Sequence, residues 1–208
     1  MTSNPAPPAP RQGVSTAGTP STRGATQDLG TCPLSPADRL FFDANIWLAL
    51  YDPHPSSDDW QVRAASDFFK RCRVAGPPIY TDLLVLCEVT NRLVKRGWEL
   101  QQAEAQRRRS PRRQGFKGFR RTPEGIAVAE DAAATVRLIL RQARWPEVGL
   151  GETEIGSAMA AFEQGGQDFN DQLIVQLCAS NGLTLVTNDA DFRDCGIPVL
   201  TANVHLLG

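Results

Sequence analysis

The chain has 208 residues, 41% of them hydrophobic and 22% charged, with a formal net charge of −1. That is enough for one domain with a real core, and the balance is not that of a fibrous, membrane or wholly disordered protein. No apolar run approaches the ~20 residues that span a bilayer, and no charged stretch followed by an apolar one opens the chain, so a cytoplasmic protein is expected.

Residues 1–36 are rich in Pro, Ala, Ser, Thr and Gly and have almost no apolar periodicity, so they are expected to be a disordered tail before a domain over 37–208. Leu40-Phe41-Phe42 then suits a short buried strand and residues 44–50 a helix, which puts Asp43 at the strand's carboxyl end. Open α/β sheets bind ligands there, although Asp before a helix is also a good N-cap. Residues 57–73 read as an amphipathic helix with Trp60, Ala64, Phe68 and Cys72 on one face, stopped by Gly76-Pro77-Pro78. Ile79-Tyr80-Thr81 is the next expected strand, and Asp82 caps a mostly apolar helix running to Gly97. Glu88 lies inside that helix, either as the partner of Arg92 one turn later or as an acid aimed at a shared site.

A helical pattern over 98–109 gives way to a basic stretch, 107–121, in which Arg107, Arg108, Arg109, Arg112, Arg113, Lys117, Arg120 and Arg121 stand without an acid. Removing these eight positive charges from the net −1 leaves −9 on the remainder, a basic arm on an acidic body. Arginines interleaved with Phe116 and Phe119 can neutralise phosphates and stack on unpaired bases. A solvated loop and an arm for an acidic protein are the other readings.

Helices are expected over 124–144 and 152–164. Asp168 then reads as the N-cap of another helix, while Asp171 falls at helical spacing with Ile174, Val175 and Cys178, on the buried side, where an unpaired carboxylate is costly. Asn181-Gly182 ends this helix, and Leu183-Thr184-Leu185-Val186-Thr187 is a strand followed by Asn188-Asp189-Ala190-Asp191. Turn chemistry accounts for each of these acids singly. Residues 197–201 form the last strand.

Segments around Asp43, Glu88, Asp171 and Asp189 therefore each bring a carboxylate to a strand end or the inner face of a helix. In a parallel sheet with right-handed crossovers such ends converge on one edge. Carboxylates brought within a few ångströms do not all stay ionised without a cation, and oxygen-only ligands favour Mg²⁺ or Mn²⁺. Only His54 and His205 are available for histidine chemistry, and neither sits in a partner motif. Cys32, Cys72, Cys87, Cys178 and Cys195 are odd in number and never spaced Cys-x-x-Cys, as reduced, mostly buried thiols would be.

Phe42-Asp43-Ala44-Asn45, Leu86-Cys87-Glu88-Val89, Asp171-Gln172-Leu173-Ile174-Val175 and Thr187-Asn188-Asp189-Ala190-Asp191-Phe192 stand in the order of the motifs of a PIN-domain ribonuclease of the VapC toxin type, which the chain resembles over about residues 38–205. The resemblance implies a Rossmann-like three-layer α/β/α sandwich with a central, mainly parallel sheet. It implies an Mg²⁺- or Mn²⁺-dependent endoribonuclease in which Asp43, Glu88, Asp171 and Asp189 match the catalytic, metal-binding acids. Thr187 matches the supporting hydroxyl, with Asn45, Asp168 and Asp191 beside them and Asp191 competing with Asp189. A homodimer neutralised by a small antitoxin is implied as well. The basic insertion and long tail are additions to the compact toxin pattern, and leave a housekeeping RNA-processing nuclease and a catalytically silent RNA-binding module as alternatives.

Overall fold

The computed structural model describes residues 24–53, 59–108, 115–165 and 167–207. Leu40–Phe42, wholly buried, lies inside a five-stranded sheet, with the elements around it in the order expected. In chain order the elements are β1 (Thr26–Asp28), β2 (Leu40–Phe42), α1 (Ala44–Tyr51), α2 (Asp59–Ala75), β3 (Ile79–Tyr80), α3 (Leu83–Arg107) and α4 (Phe116–Phe119). They continue with α5 (Pro123–Gln142), α6 (Glu152–Glu163), α7 (Phe169–Asn181), β4 (Thr184–Val186), a 3-10 turn (Ala190–Phe192) and β5 (Val199–Thr201).

The sheet runs β1-β5-β4-β2-β3 with every pair parallel. From β2 the chain crosses to β3 on one side, whereas from β4 it crosses to β5 on the other. The gap between the carboxyl ends of β2 and β4 is thus the switch point at which a doubly wound sheet opens a crevice. Helices α1, α2, α3 and α5 pack in succession on one face, and α6 pairs with α7, giving three layers. Phe42 anchors the first face through ring contacts to Trp47, Phe68 and Phe69, at centroid distances of 5.1, 6.0 and 6.4 Å.

Four local expectations change. The tail boundary moves toward the N-terminus: Thr26–Asp28 pairs with β5, and Leu29 and Cys32 are buried, so the ordered fold starts well before residue 37. Arg71 explains it, donating to the carbonyls of Leu29 (2.8 Å), Gly30 (2.9 Å) and Cys32 and so strapping this segment to α2. Residues 1–23 lie outside the described residues. Gly97 does not end its helix. It sits inside the 25-residue α3, where a Cβ would come within 2.6 Å of a Val128 methyl, so the missing side chain lets α5 approach. On α2, Trp60 is 39% exposed, and Ala65, Phe68 and Cys72 make the buried stripe. The helix expected over 124–144 ends at Gln142, and Arg144 instead forms a bridge beyond β3, its N–H donating to Ile79 O (2.8 Å) and its carbonyl accepting from Thr81 N–H (3.0 Å).

Among the described residues no helix is long and apolar enough to cross a membrane. All five cysteines are free; Cys32, Cys72 and Cys178 are buried, Cys195 partly buried and Cys87 exposed.

Candidate metal centre

Asp43 directly follows β2, its N–H still donating to Val186 O (3.1 Å) of β4, and it also caps α1. The strand-end placement and the N-cap expected from the sequence are therefore both realised. Its carboxylate is buried and fixed from three sides. Oδ1 accepts from Ala44 N–H (2.6 Å), while Oδ2 accepts from Asn45 Nδ2 (2.6 Å) and from the Thr187 hydroxyl (2.7 Å). Each carboxylate oxygen has two acceptor positions, so these bonds fill Oδ2 and leave one position of Oδ1 open.

Thr187, at the end of β4, is fully buried. Its hydroxyl gives its one proton to Asp43 and accepts from Asn45 Nδ2 (2.8 Å) and Asp189 N–H (3.0 Å). Asn45 closes the loop by accepting from Asn188 N–H (3.1 Å). The carboxyl ends of the two central strands are thus tied by a hydrogen-bonded network centred on Thr187, whose hydroxyl is fully used.

The other acids stand around this knot. Glu88 projects from the second turn of α3, partly exposed, and meets Arg92 at 3.3 Å, so its helix-pair reading also holds; that pair, at 41% and 67% side-chain exposure, contributes little. Asp168 caps α7 by accepting from Asp171 N–H (2.9 Å), as expected, and leaves Asp171 half-buried at the helix's inner edge. Asp189 Oδ1 accepts from Asp191 N–H (3.1 Å), which holds the 3-10 turn, exposed at Ala190 and Asp191 and anchored by the buried Phe192.

These carboxyls also act on one another electrostatically. Burial pushes the Asp43 carboxyl up to about 6 against the pull of its Thr187 and Ala44 hydrogen bonds, and Glu88 and Asp189 push it further. Burial also pushes Asp171 up to about 7, followed in order by the negative fields of Asp168, Asp189, Asp43 and Asp191. Asp189 acts on both Asp43 and Asp171, and on Asp171 it comes ahead of Asp191. Burial raises Asp82, the cap of α3, against hydrogen bonds from Val85 and Leu84.

This all-carboxylate donor set, with an open position on Asp43 Oδ1 and mutual repulsion to relieve, suits a hard divalent cation. Among the described residues no three His, Cys, Asp or Glu side chains are gathered as a ready cage, so the acids share a field without forming one. They also stand apart from the cavity of about 270 Å³ between α3 and α5, which is lined by Leu93, Arg96, Leu100, Val128 and Thr135 among others and by none of these acids.

Several residues that position the site were not singled out in the sequence. Gln172 Nε2 donates to Gln167 Oε1 (2.8 Å), and Gln167 Nε2 to Asp191 O (2.7 Å), so the first turn of α7 is laced to the turn after β4. Asn188 accepts from Ala202 N–H (2.9 Å) through its side chain and from Asn203 Nδ2 (2.9 Å) through its carbonyl, joining β4 to β5. Carboxamides in strand-end loops look like ordinary turn residues, so only the fold brings these roles out.

The basic arm is described at its two ends; Arg109, Arg112 and Arg113, like His54, lie outside the described residues. Arg107 and Arg108 pair with Glu104 at 3.4 and 2.6 Å. The expectation that Phe116 and Phe119 offer their rings to bases does not hold. Phe119 is buried, and Phe116 packs edge-on against Trp98 (5.7 Å) with the Arg120 guanidinium over it (6.0 Å). The rings anchor the arm and leave its cations facing solvent.

A PIN-domain family model matches residues 40–197. The chain is similar to two solved structures, VapBC2 from Rickettsia felis bound to a DNA fragment from its promoter and FitAcB from Neisseria gonorrhoeae. The first is 15% identical, covering 77% of this chain and 96% of that one, with a TM-score of 0.46. The second is 11% identical, covering 78% and 97%, with a TM-score of 0.46. No curated protein sequence matches the chain.

Proposed function

The chain belongs to the PIN-domain family, and from that premise we propose that it is a metal-dependent endoribonuclease that hydrolyses RNA phosphodiester bonds in the cytoplasm. The observation that carries this reading is the convergence of Asp43, Glu88, Asp171 and Asp189, from four separate segments, on the switch point of a parallel sheet, where burial and mutual repulsion raise Asp43 and Asp171.

In this reading Asp43, Asp171 and Asp189, with Glu88, hold Mg²⁺ or Mn²⁺, which supplies charge neutralisation at the scissile phosphate and a more acidic water. The chain's own groups do the rest. Thr187 and Asn45 fix the Asp43 carboxylate so that Oδ1 keeps its open position. Asp168 sets the first turn of α7 and so the place of Asp171. Glu88 orients the attacking water. Asp189 is preferred over Asp191 as the ligand because its charge acts on both Asp43 and Asp171. The arm, Arg107, Arg108, Arg109, Arg112, Arg113, Lys117, Arg120 and Arg121, contacts RNA phosphates. The motif resemblance extends the proposal to a homodimeric toxin held by a small antitoxin.

The test is cleavage of total cellular RNA by wild type and Asp43→Asn, with Mg²⁺, Mn²⁺ or EDTA and mapped product ends. Discrete metal-dependent cuts absent from the variant support the reading. Equal cutting by both proteins refutes it. For the toxin, expression should arrest growth with wild type and not with Asp43→Asn.

A further inference from the structure

One of the site acids, Glu88, and the start of the arm share one helix. Glu88 lies in the second turn of α3 and Trp98, on which α4 is docked, ten residues further, about 15 Å along the axis at 1.5 Å per residue. Arg107, the last residue of α3, is 19 residues from Glu88, or about 28 Å.

Five described cations occupy that far region: Arg107 and Arg108 at the helix end, and Lys117, Arg120 and Arg121 on and after α4, all exposed. Glu104 answers two of them and leaves an excess of positive charge. They ride on a fixed base. Besides the Trp98–Phe116 contact, Phe119 is buried, and a Cβ on Gly125 would fall 2.0 Å from Phe119 O, so only glycine lets α5 start this close to α4. Between the two regions, Arg92 and Lys95 follow Glu88 on the same stripe of α3, at 67% and 63% side-chain exposure, while Glu99 pairs with Lys95 at 3.9 Å.

We propose that this end of the α3–α5 hairpin is a second RNA-binding surface, separate from the acids, that selects substrates by length. The inference rests on the nuclease reading for its substrate. At about 3.4 Å per stacked nucleotide, a strand laid along α3 from the acids meets α4 after roughly 4–5 nucleotides and Arg107 after roughly 8. Shorter RNA engages the acids alone; longer RNA engages both ends and dissociates more slowly.

The experiment uses the full chain carrying Asp43→Asn, so that binding is read without cleavage, and end-labelled RNAs of about 4, 8 and 16 nucleotides in a fluorescence-anisotropy titration. A second protein adds Arg107→Gln, Arg108→Gln, Lys117→Gln, Arg120→Gln and Arg121→Gln. The expected result is at least about tenfold tighter binding of the longest RNA than the shortest. In the added variant this preference disappears, and the salt slope for the longest RNA falls by about 2–4. A preference that survives in the variant overturns the proposal. So does an added variant that loses binding of a poly-glutamate probe but keeps its RNA length preference, which would make the surface a dock for an acidic protein. Length-selective binding without cleavage by the active chain removes the nuclease reading and leaves the surface; cleavage without length selectivity does the reverse.

Discussion

The two ends of α3 are built on opposite principles. Near its start, where Glu88 faces the site, Asp43 is drawn into a hydrogen-bonded knot between the central strands, with Asp43 and Thr187 buried and every side-chain proton of the Thr187–Asn45 pair assigned. At its end, cations stand in solvent on an aromatic footing. Fixed charges that repel each other are strained and chemically useful; solvated charges on a rigid base are unstrained and useful for capture. The first arrangement demands exact partners. The second demands only charge and an anchor.

The contrast predicts a descending series of effects. Asp43→Asn should reduce RNA cleavage by about 10³-fold or more while the circular-dichroism spectrum is retained, because it removes the most fixed group of the acidic end. A variant with near-normal turnover would break the contrast at its root.

Thr187→Val comes next. It keeps the shape but leaves Asp43 Oδ2, Asn45 Nδ2 and Asp189 N–H each one partner short, and should cost about 1–3 kcal/mol in denaturant unfolding. Turnover should fall, with Thr187→Ser recovering most of both. If serine fails as badly as valine, the hydroxyl is not what holds the knot.

Asp171→Asn should make the metal-free protein more stable at pH 8, by about 1–2 kcal/mol after discounting for its half-exposed position. The Asp171 carboxyl is raised to about 7 when folded, so the folded protein holds this proton more tightly than the unfolded chain. That contribution is fully present below about pH 4 and is lost as the pH rises through about 7, so the variant should gain at pH 8 and not at pH 4. Equal gains at both pH values would remove repulsion as the cause. The smallest effect is expected from Arg92→Ala, within about 0.5 kcal/mol of wild type by thermal unfolding, because its pair with Glu88 is solvent-exposed. A large loss there would place Arg92 in the knot.

What the sequence revealed followed from how local each cause was. Phe42-Asp43 could be read because an apolar run, a strand end and a cap all fall within a few residues, and Gly182 could be read as a helix terminator from its immediate neighbour; it ends α7 in the left-handed conformation, at φ 60°. Gly97 was misread because its reason lies in Val128, across a helix pair. Thr26–Asp28 carries no alternation of its own and becomes a strand only by adding to β5 and being strapped by Arg71. Phe116 and Phe119 looked like stacking platforms because an Arg-Phe pattern does not reveal which rings find Trp98 and the core. All four site acids could be picked out singly; the Gln167, Gln172 and Asn188 network around them depends on loops meeting across the sheet edge.

The central claim, that these acids act together in binding a divalent cation, is tested most directly by calorimetric titration of Mn²⁺ into wild type, Asp43→Asn and Asp171→Asn at pH 8. The account predicts measurable binding to wild type, weakened about tenfold or more in each variant. Equal binding to all three proteins, or none to any, would contradict it.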